Sequence, residues 1–280
     1  MKWGIVVDSS SDLLSNYVSE NDIDFTVVPL KIRVDDIEYV DDDNARGENI
    51  VSALNQMKKN SGSSCPSVGD FAAAYDKSEQ VFCFTISQHL SGTFNTARLA
   101  IENTEKNPKV DVYDSYGTGG SIILLVDKAV ELIKQGLSFE EATEILHNYS
   151  ESMRLYFTLS NYTNLIKNGR MSAFAGHIAQ ALKIRAISHA DGGVIQVIKK
   201  CRGDNKALNE IAQLMGDKVS SNTKVIIDNC MFHEGAQYLK EKLLEMYNIT
   251  NVRIIDGKYL TGYYQMDGGL IVSYNLMDKN

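Results

Sequence analysis

Hydroxyl side chains gather at four places in this chain, each beside an aspartate, a proline or a glycine. Asp8-Ser9-Ser10-Ser11-Asp12 comes first and Ser63-Ser64-Cys65-Pro66-Ser67 second. Thr85-Ile86-Ser87 with Ser91-Gly92-Thr93 is third, and Asp114-Ser115 ahead of Gly117, Gly119 and Gly120 is fourth. Such groups suit the binding of an anion. A serine or threonine hydroxyl donates one hydrogen bond to a carboxylate, and a glycine lets a ligand approach the backbone closely. Ser91-Gly92-Thr93 combines both features and is the leading candidate. Ser63 or Ser64, ahead of the helix cap Ser67, is the candidate for a second wall. Each serine taken alone is equally a helix cap. Several clusters delivered to one edge of one sheet favour a shared ligand.

Two arginines close segments beside glycine, in Lys167-Asn168-Gly169-Arg170 and in Lys199-Lys200-Cys201-Arg202-Gly203. Read plainly they are helix-end charge on a solvated face. Read functionally they form a local basic patch that steers an acidic ligand, a phosphate or an acidic partner. Catalytic motifs are few. The chain has no Gly-x-x-x-x-Gly-Lys-Ser/Thr loop, and Gly117-Thr118-Gly119-Gly120 lacks the lysine a phosphate loop needs. There is no Gly-x-Ser-x-Gly elbow. His89 precedes Ser91, which keeps a serine hydrolase as a rival, although adjacency is not triad geometry. His147, His177, His189 and His233 show no metal-ligand spacing.

These residues need elements to position them. Trp3–Val7, Phe25–Val28, Val81–Thr85 and Val110–Tyr113 read as strands, and Lys31–Val34 with Glu38–Val40 reads as a hairpin over Asp35-Asp36. Helical patterns lie over about 47–59, 67–76, 91–105, 119–134 and 138–152. This alternation predicts an open, mostly parallel α/β sheet. In such sheets ligands bind beyond the carboxyl ends of the strands, where three of the clusters fall. Ser61-Gly62-Ser63-Ser64 reads as a flexible polar run and Asp41-Asp42-Asp43 as a solvated loop. From Leu155 onward the rhythm changes. Leu155–Leu159 is a strand, with short helices over about 161–168 and 172–182. Ile184–Ser188 and Val194–Lys199 flank the turn Asp191-Gly192-Gly193. Helices over about 203–219 and 232–247 alternate with strands Lys224–Ile227, Val252–Ile255 and Leu270–Tyr274. The expectation is two α/β domains, 1–152 and 153–280, with the ligand between them.

Composition narrows the function classes. At 280 residues the chain is long enough for about two domains. Its net charge of −8 disfavours a nucleic-acid binder. Four scattered cysteines without a CxxC pair fit a reducing, cytoplasmic setting. The N-terminal apolar run is too short for a signal peptide, and no stretch approaches the length of a membrane span. The expected state is a cytoplasmic protein without stable membrane insertion.

In order and spacing these pieces resemble the DegV family of bacterial fatty-acid-binding proteins over nearly the whole length. The resemblance rests on Asp8-Ser9-Ser10-Ser11-Asp12, Ser63-Ser64-Cys65-Pro66-Ser67, Ser91-Gly92-Thr93-Phe94-Asn95-Thr96-Ala97 and Asp114-Ser115. It continues in Leu165-Ile166-Lys167-Asn168-Gly169-Arg170, in Leu182-Lys183-Ile184-Arg185-Ala186-Ile187, and in Lys200-Cys201-Arg202-Gly203 with Lys206-Ala207. It implies a carrier rather than an enzyme, with a long-chain fatty acid as ligand and no metal or other cofactor. The carboxylate is expected on Ser63, Ser64, Ser91, Gly92 and Thr93, and the tail in the second domain. In some members the protein presents the fatty acid to a separate ATP-dependent kinase, which makes an acyl phosphate. Arg170 and Arg202 are then expected on a basic rim outside the pocket, facing that kinase. This chain departs from the family at Ser63-Ser64-Cys65-Pro66, where Thr-Ser-Gln-Pro is common, and at Arg185-Ala186, where Lys-Pro is common. It departs again at Tyr263-Tyr264-Gln265-Met266-Asp267-Gly268-Gly269, where many members have a histidine before Gly-Pro-Gly. Tyr264 can replace that imidazole as a donor, without its positive charge. The rival functions are a serine-dependent hydrolase or transferase and a binding module for a small phosphorylated ligand.

Overall fold

The computed structural model describes residues 2–172 and 184–279. The helix expected over about 172–182, with His177 and Leu182-Lys183, falls outside the described residues apart from Ser172.

The first half builds strands β1 (Trp3–Asp8), β2 (Ile23–Val28), β3 (Lys31–Val34), β4 (Ile37–Val40), β5 (Ser61–Ser64), β6 (Gln80–Thr85) and β7 (Lys109–Asp114). Its helices are α1 (Gly47–Gln56), α2 (Val68–Tyr75), α3 (Thr93–Leu99), α4 (Gly120–Lys134) and α5 (Phe139–Glu151). Strands β2-β1-β6-β7 form a four-stranded sheet, parallel throughout. β1 and β6 are buried along almost their whole length, as expected of parallel strands covered on both faces. Capping boxes open two of the helices, Ser67 with Asp70 on α2 and Ser138 with Glu141 on α5.

The second half contributes β8 (Met153–Leu159), α6 (Thr163–Lys167), β9 (Ile184–Asp191), β10 (Val194–Arg202), α7 (Asp204–Met215), β11 (Val225–Cys230), α8 (His233–Tyr247), β12 (Val252–Asp256), α9 (Tyr259–Gln265) and β13 (Gly269–Asn275). They form a six-stranded sheet in the order β10-β9-β8-β13-β11-β12. Its pairings are antiparallel except for β11 with β12. Helix α4 lies between the two sheets and touches both. A Cβ at Gly120 would stand 2.6 Å from Ile226 Cβ, and one at Gly119, where φ is +51°, would stand 2.4 Å from Asp228. The two glycines therefore let the start of α4 meet the second sheet.

Two local expectations fail. Residues 61–64 are not a flexible run; they are β5, an outer strand of the antiparallel sheet β4-β3-β5. The Asp35 carboxylate draws them into place by accepting the backbone N–H groups of Lys58, Lys59 and Asn60. Asp41 is not in a solvated loop; it is fully buried and accepts from Ser9 Oγ and from the backbone N–H of Tyr259. Residues 259–265, unassigned from sequence, form α9. Two of the expected helices are also shorter: α1 stops at Gln56, and α3 passes into a 3-10 turn at Ala100–Asn103.

Candidate functional site

The carboxyl ends of β1, β6 and β7 lie side by side and are laced together by two aspartates. Asp8 accepts from the backbone N–H groups of Ser10 and Ile86 at 2.9 and 2.7 Å. Asp114 accepts from those of Gln88 and Tyr116 at 3.2 and 2.7 Å. The loop after β6 is therefore held at both of its near ends, and it turns so that Leu90 and Ser91 donate their N–H groups to the Ser87 carbonyl. Ser91 then faces a cleft between the two sheets.

The cleft is apolar along most of its wall. Ile86 and Leu90 come from the loop after β6, Leu155 and Phe157 from β8, and Ile195 and Ile271 from β10 and β13. It holds about 770 Å³ of empty space counting its opening to solvent.

Polar groups gather at one part of this wall. Ser63 Oγ and Tyr264 OH are 2.8 Å apart. Strand alternation explains the choice of serine: Ser61 and Ser63 face the α9 tyrosines, whereas Ser64 is exposed and stands apart from the cleft. Ser91 Oγ and Thr93 Oγ1 are also 2.8 Å apart, and the Thr93 N–H donates to Ser91 Oγ. Thr93 is fully buried and does not reach the cleft wall. Its hydroxyl therefore donates to Ser91, since the reverse arrangement would bury an unused proton. That leaves the Ser91 O–H free to point into the cleft. Gly92 is exposed, and a Cβ there would meet nothing within 4 Å.

Arg170 differs from expectation. It does not sit on an outer rim; it lines the cleft beside Tyr264. Gly169, at φ +74°, turns the chain back after α6. The guanidinium is then pinned by Nε to the Leu90 carbonyl at 2.9 Å and by Nη1 to the Asn168 carbonyl. Among the described residues these bonds use two of its five N–H donors. Arg202 is exposed at the end of β10 and lines no part of the cleft. Burial raises the Tyr264 phenol, while the Ser63 bond and the Arg170 charge pull it back. The net shift is upward, so Tyr264 is a neutral donor at physiological pH.

Helix α9 carries Tyr264, and two buried aspartates from the other half of the chain hold its N-terminus. Asp12 accepts from the Lys258 N–H and the Thr261 hydroxyl at 2.6 and 2.5 Å, and Asp41 accepts from the Tyr259 N–H at 2.8 Å. Negative groups at a helix N-terminus are favourable, but burial works against their charge. Burial raises Asp8 and Asp41 to about 6 and Asp228 to about 7. Asp12 is raised too, by burial first and then by Asp228 and Asp41. Sequence reading missed this clamp entirely, because no local pattern separates Asp12 and Asp41 from surface acids.

The rival catalytic arrangement is not assembled among the described residues. His89 is exposed, and the partner of the Ser91 hydroxyl is Thr93. No group of three His, Cys, Asp or Glu among the described residues is placed to hold a metal ion. No described helix is long and apolar enough to cross a membrane.

Comparison with known proteins agrees with this architecture. A family model described as an uncharacterised protein of the DegV family matches residues 2–265. A DegV domain-containing protein of Streptococcus pyogenes serotype M1 is 34% identical over 280 residues, covering 99% of this chain and 100% of its own. The Streptococcus pneumoniae Fatty Acid Kinase (Fak) B3 protein, solved loaded with linoleic acid, superimposes with a TM-score of 0.93 at 31% identity, over 99% of this chain and 100% of its own. A DegV family protein from Eubacterium eligens loaded with heptadecanoic acid gives a TM-score of 0.90 at 29% identity, over 98% of this chain and 99% of its own.

Proposed function

The chain belongs to the DegV family, and from that premise we propose that it binds one long-chain fatty acid and presents its carboxylate to a separate kinase. The observation that carries this reading is an apolar cleft with the hydroxyls of Ser63, Tyr264 and Ser91 and the Arg170 guanidinium on its wall. In this reading residues 1–152 supply most of the head-group loops, and residues 153–280 enclose most of the chain.

The physical chemistry suits such a ligand. Each hydroxyl pair spends one proton on its internal bond and keeps one for the ligand. Together with the Arg170 guanidinium they match the acceptor sites of a carboxylate, which a buried anion requires. Each buried methylene contributes about 0.8 kcal/mol, so the tail supplies affinity and the head group supplies orientation. Arg170 anchors the head group here, and Arg202 remains free for an acidic partner surface or the phosphate of an acyl phosphate. The protein itself performs no bond chemistry in this reading. It works in a reducing compartment, consistent with its unpaired thiols.

Titration of delipidated protein with stearate by calorimetry tests the binding half. Saturation at one per chain supports it, and no heat of binding contradicts it. Adding a cognate fatty acid kinase and ATP tests the second half, through formation of acyl phosphate that depends on this chain.

A further inference from the structure

One buried polar group on the cleft wall is left over by the carboxylate site. Gln265, the last residue of α9, is 1% exposed and lines the cleft. Neither its Nε2 nor its Oε1 has a hydrogen-bond partner among the described residues. Its polar neighbours on the wall are already committed. Thr261, one helical turn earlier on α9, donates to Asp12, and Thr118 donates to the Ser10 carbonyl. The hydroxyls of Ser63, Tyr264 and Ser91 belong to the head-group pairs. Most of the rest of the cleft wall is hydrocarbon, Leu155, Leu260 and Ile271 among it.

A buried primary amide with both functions unpaired is costly. A saturated acyl chain relieves neither function. A double bond relieves at most the donor, through a weak N–H···π contact. A hydroxyl relieves both, donating to Oε1 and accepting from Nε2. We infer that Gln265 is a specificity residue that admits an acyl chain bearing one hydroxyl group, held by the amide beyond the head-group site. This rests on the fatty-acid reading and refines it by naming the substrate class as monohydroxylated fatty acids.

The test compares delipidated wild-type protein with Gln265→Leu, each titrated with stearate and with stearates hydroxylated at carbon 2, 3, 10 or 12. In wild type, one positional isomer should bind at least as tightly as stearate. In Gln265→Leu stearate should bind more tightly and that isomer more weakly, so that the ratio of the two dissociation constants changes about tenfold or more. Gln265→Met, of similar volume and unbranched, repeats the comparison if the leucine variant does not fold. If stearate binds both proteins and the ratio is unchanged for every isomer, Gln265 is not a specificity residue and the inference is overturned. If wild type binds no fatty acid at all, the fatty-acid reading itself falls, which is a different result.

Discussion

Ser91 and Thr93 offer the sharpest separation between a residue that touches the ligand and one that acts through another. Both carry hydroxyls on one short turn, and sequence alone treats them alike. In the structure Thr93 is buried behind Ser91, donating its backbone N–H to Ser91 Oγ, with the two hydroxyl oxygens 2.8 Å apart. Ser91→Ala removes the proton that faces the cleft. A hydrogen bond to a charged group is worth about 1.5–3 kcal/mol, so stearate affinity should fall roughly 10- to 150-fold. Thr93→Val keeps the branched side chain and leaves the Ser91 O–H in place, with the Thr93 N–H still orienting its oxygen. The cost in affinity should be about 1 kcal/mol or less, roughly fivefold. The double variant should bind as Ser91→Ala does, because Thr93 has nothing left to orient. Calorimetric titration of the three delipidated variants measures this, with thermal melts to confirm folding. If Thr93→Val weakens binding as much as Ser91→Ala, and the two losses add, both hydroxyls contact the ligand and the assignment of a front and a back residue is wrong.

The two arginines should separate in the same assay. Arg170→Gln should weaken stearate binding at least tenfold, whereas Arg202→Glu should leave it unchanged and reduce kinase-dependent acyl phosphate formation; loss of lipid by the Arg202 variant would place that residue at the head group. Tyr264→Phe keeps the ring but removes its bond to Ser63, and should weaken stearate binding several-fold while leaving the melting temperature within a few degrees; an unchanged affinity would remove Tyr264 from the head-group site. The buried aspartates set a pH dependence of unusual sign. Because Asp228 is raised to about 7 in the fold, the native state holds its proton where the unfolded chain has released it. Its contribution to stability is complete below the usual carboxylate range and disappears as pH rises through about 7. Asp8 and Asp41, both near 6, act in the same direction. Asp228→Asn retains the acceptor for the Gly120 N–H, and should lessen the fall in melting temperature between about pH 5 and 8; identical slopes in variant and wild type would show that Asp228 is ionised in the native state.

Part of the fold was legible where a strand is buried on both faces or a helix begins at a side-chain cap. β1, β6, Ser67 and Ser138 are of this kind. The strand-end placement of the hydroxyl clusters followed from that sheet. What was not legible depends on long-range partners. Ser61–Ser64 has the composition of a loop and becomes a strand only because β3 pairs with it and Asp35 ties down the residues before it. Asp41 has the sequence context of a surface acid and is buried because Ser9 and the start of α9 meet it across the fold. Arg170 was expected on the rim beside a glycine; it enters the cleft because Gly169 reverses the chain and the Leu90 carbonyl receives its Nε. Gln265 gave no signal at all, since its isolation is a property of the wall around it.

The central claim is that the cleft holds one long-chain fatty acid. Purified full-length protein, expressed in bacteria without added lipid and kept from detergent, should be examined by native mass spectrometry and then by organic extraction. A mass increment of one fatty acid per chain, with the same acid recovered in the extract in equal amount, is the expected result. Protein at its bare mass that also fails to take up stearate, or protein carrying a phosphorylated small molecule instead, would contradict it.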